Sequence, residues 1–155
     1  MSTAKVDVST LPAETLEFAG RMFDAARTGN SELLLAAVDR GLPVNLTNEK
    51  GNTLLMLAAY AGHAALTKEL LTRGADPDRL NDLGQSIIAG AIFKGHTEVV
   101  TALAEVGANP RIGTPNALQT AHMFGKTEIF KALGGTDDDI TSDVPSPLSS
   151  VLASA

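Results

Sequence analysis

Apolar residues recur along the chain in short blocks with helical spacing. Within each block, two apolar residues stand four positions apart, which places them on one face of a helix. These pairs are Leu33 and Ala37, Leu66 and Leu70, Val99 and Leu103, and Ile129 and Leu133. Each pair follows a stretch that ends at a glycine, the residue that most readily closes a helix in the left-handed conformation. The pattern predicts four helix pairs whose opening helices end at Gly29, Gly62, Gly95 and Gly125.

The blocks repeat with a period of 33 residues. The segment GNTLLMLAAYAGHAALTKELLTRGADPDRLND at 51–82 returns as GQSIIAGAIFKGHTEVVTALAEVGANPRIG at 84–113. Carried backward, the period predicts a first opening helix that begins near Pro12, and carried forward it requires a three-residue deletion. The predicted units therefore cover residues 12–47, 48–80, 81–113 and 114–135. No such unit can bury its apolar side alone, so neighbouring units must stack.

This period, with a Gly-His pair in the turn and Gly-Ala-Asp or Gly-Ala-Asn after the second helix, resembles the ankyrin repeat family. The resemblance covers roughly residues 12–135 and implies an all-α solenoid of stacked helix-turn-helix repeats with short β-turn fingers. Where the family usually has Thr-Pro-Leu-His, the units read Thr-Leu-Leu-Met, Ser-Ile-Ile-Ala and Asn-Ala-Leu-Gln. Because no unit keeps the Pro or the His, we expect weaker bracing of these turns. The finger at 111–114 is cut short, so we also expect an uneven row of fingers.

The two ends of the chain differ from the repeats in composition. Residues 1–11 are predicted to be a flexible N-terminus. Residues 136–155 carry four Asp and no Lys or Arg, and they are rich in Ser with two Pro. With so little apolar surface to offset the entropy of ordering, this tail is predicted to be disordered. Its Leu148, Val151 and Leu152 have the spacing of a short helix that could form against a surface.

Composition excludes several classes of protein. The chain has no cysteine, which removes disulfides, thiolate metal sites and thiol nucleophiles and favours a cytoplasmic location. It has neither a signal-like apolar region nor a stretch approaching the ~20 apolar residues of a membrane span. The formal charge of −6, with twelve scattered Lys and Arg, argues against nucleic acid, which requires a basic stripe. We therefore expect neither a membrane nor a nucleic-acid partner.

The sequence offers no catalytic constellation. His63 and His96 hold equivalent places in adjacent units, about 10 Å apart, whereas zinc ligand bonds are only ~2 Å. They are predicted to be structural turn residues, and His122 a partly buried residue of the last unit. The acidic run at 137–139 lacks the ligand spacing of an EF-hand, so a solvated tail is preferred to a calcium site. With neither a Gly-x-Ser-x-Gly nor a phosphate-binding loop present, we predict no enzyme, cofactor or metal site.

The resemblance implies a binding face built from finger tips and the exposed ends of the opening helices. Carried over by position, the candidate protein-binding residues beside the turn glycines are Arg27, Tyr60, Phe93, Lys94, Met123 and Phe124. The aromatic members stand where the repeat does not require core residues, and solvent-facing aromatics commonly anchor protein interfaces. The alternative is that Met123 and Phe124 only cover the open end of the stack. The predicted polar rim consists of the finger residues Glu49, Lys50, Asn52, Arg79, Asp82, Leu83 and Gln85.

Two functions remain open at this point. The first is an adaptor or inhibitor, monomeric by itself, that binds a partner protein on the concave face. The second is an accessory stress or chaperone-like factor of a bacterial detoxifying enzyme such as a catalase, which the resemblance to short bacterial ankyrin proteins suggests. In the second, the C-terminal tail covers the chain's own concave face until it is displaced.

Overall fold

The computed structural model describes residues 12–140, and within them eight α-helices form four consecutive pairs. The opening helices are α1 (Ala13–Thr28), α3 (Leu54–Tyr60), α5 (Ile87–Lys94) and α7 (Ala117–Met123). The second helices are α2 (Ser31–Asp39), α4 (Ala64–Thr72), α6 (Thr97–Glu105) and α8 (Thr127–Ala132). Each opening helix packs against its own second helix, and consecutive opening helices pack against each other from α1 to α7. The opening helices therefore form one layer of the solenoid and the second helices form the other.

Three of the four opening helices, α3, α5 and α7, begin at a side chain that accepts a hydrogen bond from the first turn. Thr53 Oγ1 accepts from the Met56 amide at 3.1 Å, and Ser86 Oγ accepts from the Ala89 amide at 3.2 Å. Asn116 forms a capping box that begins α7. Each arrangement satisfies an amide that the helix leaves without a partner. These three caps form although no unit keeps the Pro or the His of the family pattern, and the weaker bracing of the turns stays a prediction.

The core lies between the two helical layers and is continuous from α1 to α7. Leu34 is fully buried on α2, whereas Leu33, predicted to share the apolar face of this helix with Ala37, is 44% exposed. The period aligns Leu33 with Leu66 and Val99, which are buried in repeats that have a neighbour on both sides. Within the described residues, α2 has no preceding second helix to pack against. The prediction for Leu33 is wrong because the neighbouring second helix that covers Leu66 and Val99 has no equivalent on the N-terminal side of α2 among residues 12–140.

Asparagine side chains organise the first two fingers. Asn48 Oδ1 accepts from the amides of Lys50 and Asn52 at 2.9 and 3.0 Å. Asn81 repeats this arrangement one period later, and its Nδ2 also donates to Asn52 Oδ1 at 3.0 Å. The third finger is shorter and contains a cis peptide bond before Pro115. An uneven row of fingers results.

The described chain ends in an ordered turn. Thr136 caps a 3-10 helix at Asp137–Asp139, and Asp139 forms an ion pair with Arg111 of the third finger at 3.0 Å. Disorder beginning at residue 136 is therefore wrong for residues 136–140, because a contact 28 positions away in sequence holds them. The predictions for residues 1–11 and for the rest of the tail concern segments outside the described residues.

Candidate functional site

A cleft of about 430 Å³ lies between α5 and α7, beside the third finger. Six of the predicted binding residues line it: Tyr60, Gln85, Phe93, Lys94, Met123 and Phe124. Phe93 and Lys94 lie on α5, Met123 and Phe124 lie at the end of α7, Tyr60 is the last residue of α3, and Gln85 belongs to the second finger. A volume of this size lies within the range of ligand-binding clefts, roughly 300–1,000 Å³.

Two phenylalanines form one wall of the cleft. Phe93 lies in the last turn of α5 and Phe124 directly follows α7, so the stacking of these helices brings their rings together. The ring centroids are 5.3 Å apart with an interplanar angle of 79°, an edge-to-face contact. Phe93 nevertheless remains 60% exposed. A large apolar surface is thus held in place by its neighbour and still open to solvent.

Tyr60 differs from the solvent-facing aromatic that the sequence predicts. Its side chain is half-buried, and its hydroxyl donates to the Ser86 carbonyl oxygen at 3.2 Å. The ring lies against Gly90 of α5, where a Cβ atom would overlap it. Burial disfavours the charged phenolate and raises the pKa of Tyr60 to about 12. Tyr60 is therefore an inter-repeat packing residue whose ring also lines the cleft.

Several residues that line the cleft are not predicted from the sequence. The floor includes Ala89, Gly90 and Thr120, and the shortened finger contributes Thr114 and Pro115. One signal was available, because a glycine inside a helical pattern often marks a close packing contact. The finger residues carried no comparable signal, since their position depends on how α7 stacks against α5.

Comparison with known proteins identifies the fold. A family model described as ankyrin repeats, in three copies, matches residues 22–114. The chain belongs to the ankyrin repeat family. Over 52 residues it is 54% identical to a putative ankyrin repeat protein of Pseudomonas aeruginosa, a match that covers 34% of this chain and 30% of the relative. The human ASB11 ankyrin repeat domain matches with a TM-score of 0.65 and 26% identity, over 80% of this chain and 57% of that domain.

The remaining predicted protein-binding residues lie outside the cleft. Arg27 pairs with Asp24 at 2.9 Å on the exposed surface of α1, and Leu83 protrudes from the second finger with 79% of its area exposed. The other predicted residues of the set that do not line the cleft are Glu49, Lys50, Asn52, Arg79 and Asp82. The predicted rim is thus spread along the fingers, and only Gln85 of that rim reaches the cleft.

Two histidines connect consecutive ankyrin repeats through the backbone. His63 Nε2 lies 2.7 Å from the Arg27 carbonyl oxygen, and His96 Nε2 lies 3.0 Å from the Tyr60 carbonyl oxygen. A carbonyl oxygen only accepts, so each ring carries its proton on Nε2 and donates. These contacts assign both residues to the structural role that the sequence predicts.

The last histidine lies at the end of the stack. His122 is partly buried, and its ring centroid lies 6.4 Å from that of Phe130. Among residues 12–140, no group of three or more metal-ligating side chains is arranged around one point. No helix in that same range combines the length and the apolar character needed to cross a membrane.

Proposed function

We propose that this chain captures an apolar segment of a partner protein in the cleft between α5 and α7. Ankyrin repeats generally mediate protein–protein interaction and are typically not enzymes. The observation that supports the proposal is the open edge-to-face pair of Phe93 and Phe124, which leaves most of one phenylalanine in water. Burying such a ring against a partner is favourable, because aromatic side chains remove a large apolar area from water at small entropic cost.

The lining of the cleft favours a partner segment in which an apolar side chain is followed or preceded by an acidic or neutral one. Its accessible lining is predominantly apolar, and Lys94 is the one charged residue among those that line it. A partner carboxylate beside an apolar anchor would face this ammonium group, whereas a basic residue would be repelled. The cleft is too small for a folded domain but large enough for a few side chains of an extended or helical segment.

Both functions suggested by the sequence require the capture of a partner segment. An adaptor or inhibitor and an accessory factor of a detoxifying enzyme each have to capture a segment of another protein on the concave side. We further propose that the chain acts as a cytoplasmic monomer. The absence of cysteine fits a reducing compartment, and light scattering on a size-exclusion column would test the monomeric state.

The test is capture of a partner by the immobilised full chain from an extract of its native cell, quantified by mass spectrometry. We expect the double substitution Phe93→Ala and Phe124→Ala to reduce capture at least tenfold, which corresponds to about 1.4 kcal/mol. Both side chains lie at the surface of the cleft, so the helical circular dichroism spectrum should be retained.

Phe18→Ala provides the matched control, because Phe18 is a partly exposed phenylalanine on α1, away from the cleft. Its capture should stay within about twofold of the unmodified chain, well inside the tenfold criterion. Equal capture by the unmodified chain and by the double variant would refute the proposal.

A further inference from the structure

The chain after α8 leaves the helix in the same way as the chain that leads into the third finger. At the end of α8, the amides of Gly134 and Gly135 donate to carbonyl oxygens of the last helical turn at 3.0 and 2.8 Å. Gly107 and Ala108 close α6 with the corresponding pair of bonds, both at 3.0 Å, and the chain then enters the third finger. The chain after α8 therefore leaves the second-helix layer as it does in the preceding repeat.

An ion pair holds this departing segment beside the cleft. Arg111 donates from Nε and Nη2 to the two carboxylate oxygens of Asp139 at 3.0 and 3.1 Å, and its Nη2 also donates to the Gly134 carbonyl oxygen at 3.0 Å. The Asp139 side chain is only 10% exposed. Arg111 belongs to the short finger whose Thr114 and Pro115 line the cleft. The tail therefore begins at the finger that forms part of the cleft.

Enough chain follows to reach the cleft. Fifteen residues, 141–155, lie beyond the described structure. At about 3.3–3.6 Å per residue, the stretch 141–148 spans up to roughly 26–29 Å when extended. Neighbouring packed helices lie only about 8–10 Å apart. One segment of the tail can thus pass across α7 and lie between α7 and α5.

The segment Asp143–Leu148, with the sequence DVPSPL, matches the chemistry of the cleft. Proline-rich segments dock in grooves lined by aromatic rings because their extended conformation is already formed before binding. Tyr60, Phe93 and Phe124 supply such rings. Charge agrees as well, since Asp143 carries the only charged side chain in residues 141–155 and Lys94 the only one that lines the cleft.

We propose that Asp143–Leu148 of the same chain occupies the cleft, with Asp143 beside Lys94 and with Pro145 and Pro147 on the phenylalanine rings. A tethered segment has an effective concentration in the millimolar range, so docking with a dissociation constant below about 1 mM keeps most of the clefts occupied and competes with a partner. The inference rests on the proposed function in using the same cleft. It adds that a partner must displace this segment, and that a partner segment of the same acidic, proline-containing chemistry competes best.

The chain offers a direct measurement because it has no cysteine. Ser149→Cys in the full chain accepts a nitroxide spin label next to the segment, and paramagnetic broadening of amide signals then reports which residues lie nearby. We expect the Gly90, Phe93 and Thr120 signals to lose at least twice as much intensity as that of Arg27, the counterpart of Phe93 two periods earlier. Broadening no stronger at these three residues than at Arg27 would overturn the proposal.

Three further samples identify the chemistry and the origin of the signal. Asp143→Lys should reduce the broadening at least twofold, and adding Lys94→Glu should restore it. A mixture of spin-labelled chains with isotope-labelled, nitroxide-free chains detects docking between copies, and strong broadening in that mixture would overturn docking within one chain. Broadening centred on Val100 and Leu133 would place the tail between α6 and α8 and would also overturn it. No partner is needed, so failed partner capture leaves these results unaffected.

Discussion

Gly90 lies inside α5, where glycine costs roughly 0.5–1 kcal/mol relative to alanine. The Tyr60 ring from the preceding opening helix fills the space that a Cβ atom would occupy. The Tyr60 hydroxyl is bonded to Ser86, the residue that caps the same helix. Helix propensity at this position is therefore given up for an aromatic ring fitted between two repeats, directly beside the cleft.

This arrangement predicts a change of sign in a double-mutant cycle. Gly90→Ala should lower the free energy of unfolding by about 1 kcal/mol, because overpacking costs ~1–3 kcal/mol and exceeds the gain in helix propensity. In the Tyr60→Ala background the obstruction is absent, so Gly90→Ala should stabilise by about 0.5–1 kcal/mol. Urea unfolding followed by circular dichroism measures all four chains. Equal effects of Gly90→Ala in both backgrounds would show that the ring does not obstruct the site.

Tyr60 is the chain's only tyrosine, and the chain has no tryptophan, so its ionisation can be followed by ultraviolet absorbance alone. We expect the native chain to titrate near pH 12 and the urea-unfolded chain near pH 10. Because the folded pKa is the higher one, the neutral phenol stabilises the fold fully below pH 10. This contribution is lost as the pH rises from about 10 to about 12. A native titration midpoint near pH 10 would contradict the burial of the ring.

Among elements, the fingers depend on side-chain hydrogen bonds more than on strand pairing. The one β-bridge within residues 12–140 joins Thr47 and Thr53. Asn81 is 8% exposed and accepts from the amides of Leu83 and Gln85, both at 3.0 Å. Its bond to Asn52 links the second finger to the first. One amide side chain thus shapes a turn and connects two repeats.

Asn81→Ala should therefore lower the free energy of unfolding by about 2 kcal/mol, because leaving a buried hydrogen-bonding group without its partner costs ~1–3 kcal/mol. Leu83→Ala at the tip of the same finger is the control, and a change within about 0.5 kcal/mol is expected for this exposed side chain. Thermal or urea unfolding of the two variants gives the comparison. Similar unfolding free energies for both would refute a structural role of Asn81.

At the scale of the whole molecule, the stack becomes looser toward its C-terminal end. The last second helix, α8, has six residues and none of them is buried. An apolar groove of about 300 Å³ separates α8 from α6, with Val100, Ile129 and Leu133 among its lining. In a repeat stack, the stability of each unit depends on its own contacts and on those with its neighbours. We therefore expect the fourth repeat to be the weakest of the described units.

This gradient predicts partial opening from one end. In native-state hydrogen exchange, amides of α8 should open with free energies at least about 2 kcal/mol below those of α5, since locally unfolding units span the range from zero to the global value. The α5 amides provide the internal reference in the same sample. One common opening free energy for α5 and α8 would mean that the stack unfolds as a single unit.

Local signals in the sequence determined most of the architecture. The period of 33 and the turn glycines set the order of the helix pairs, because glycine adopts the positive φ that closes a helix at no steric cost. Placing Phe93 and Phe124 at surface positions required only the register of the repeat. The order of the helix pairs and the surface positions of the two phenylalanines both depend on interactions within one repeat. Such interactions can be predicted from residues close together in the sequence.

Tertiary structure alone decided how the units meet. The burial of Tyr60 depends on the missing Cβ of Gly90, 30 positions later, and the order of residues 136–140 depends on Arg111 in another finger. Exposure of Leu33 follows from the absence of a preceding second helix in the described residues. The cleft itself arises from the stacking of α7 on α5 behind a shortened finger. Such features join residues distant in sequence, so a local pattern such as the glycine inside α5 marks a close contact without naming the residue that makes it.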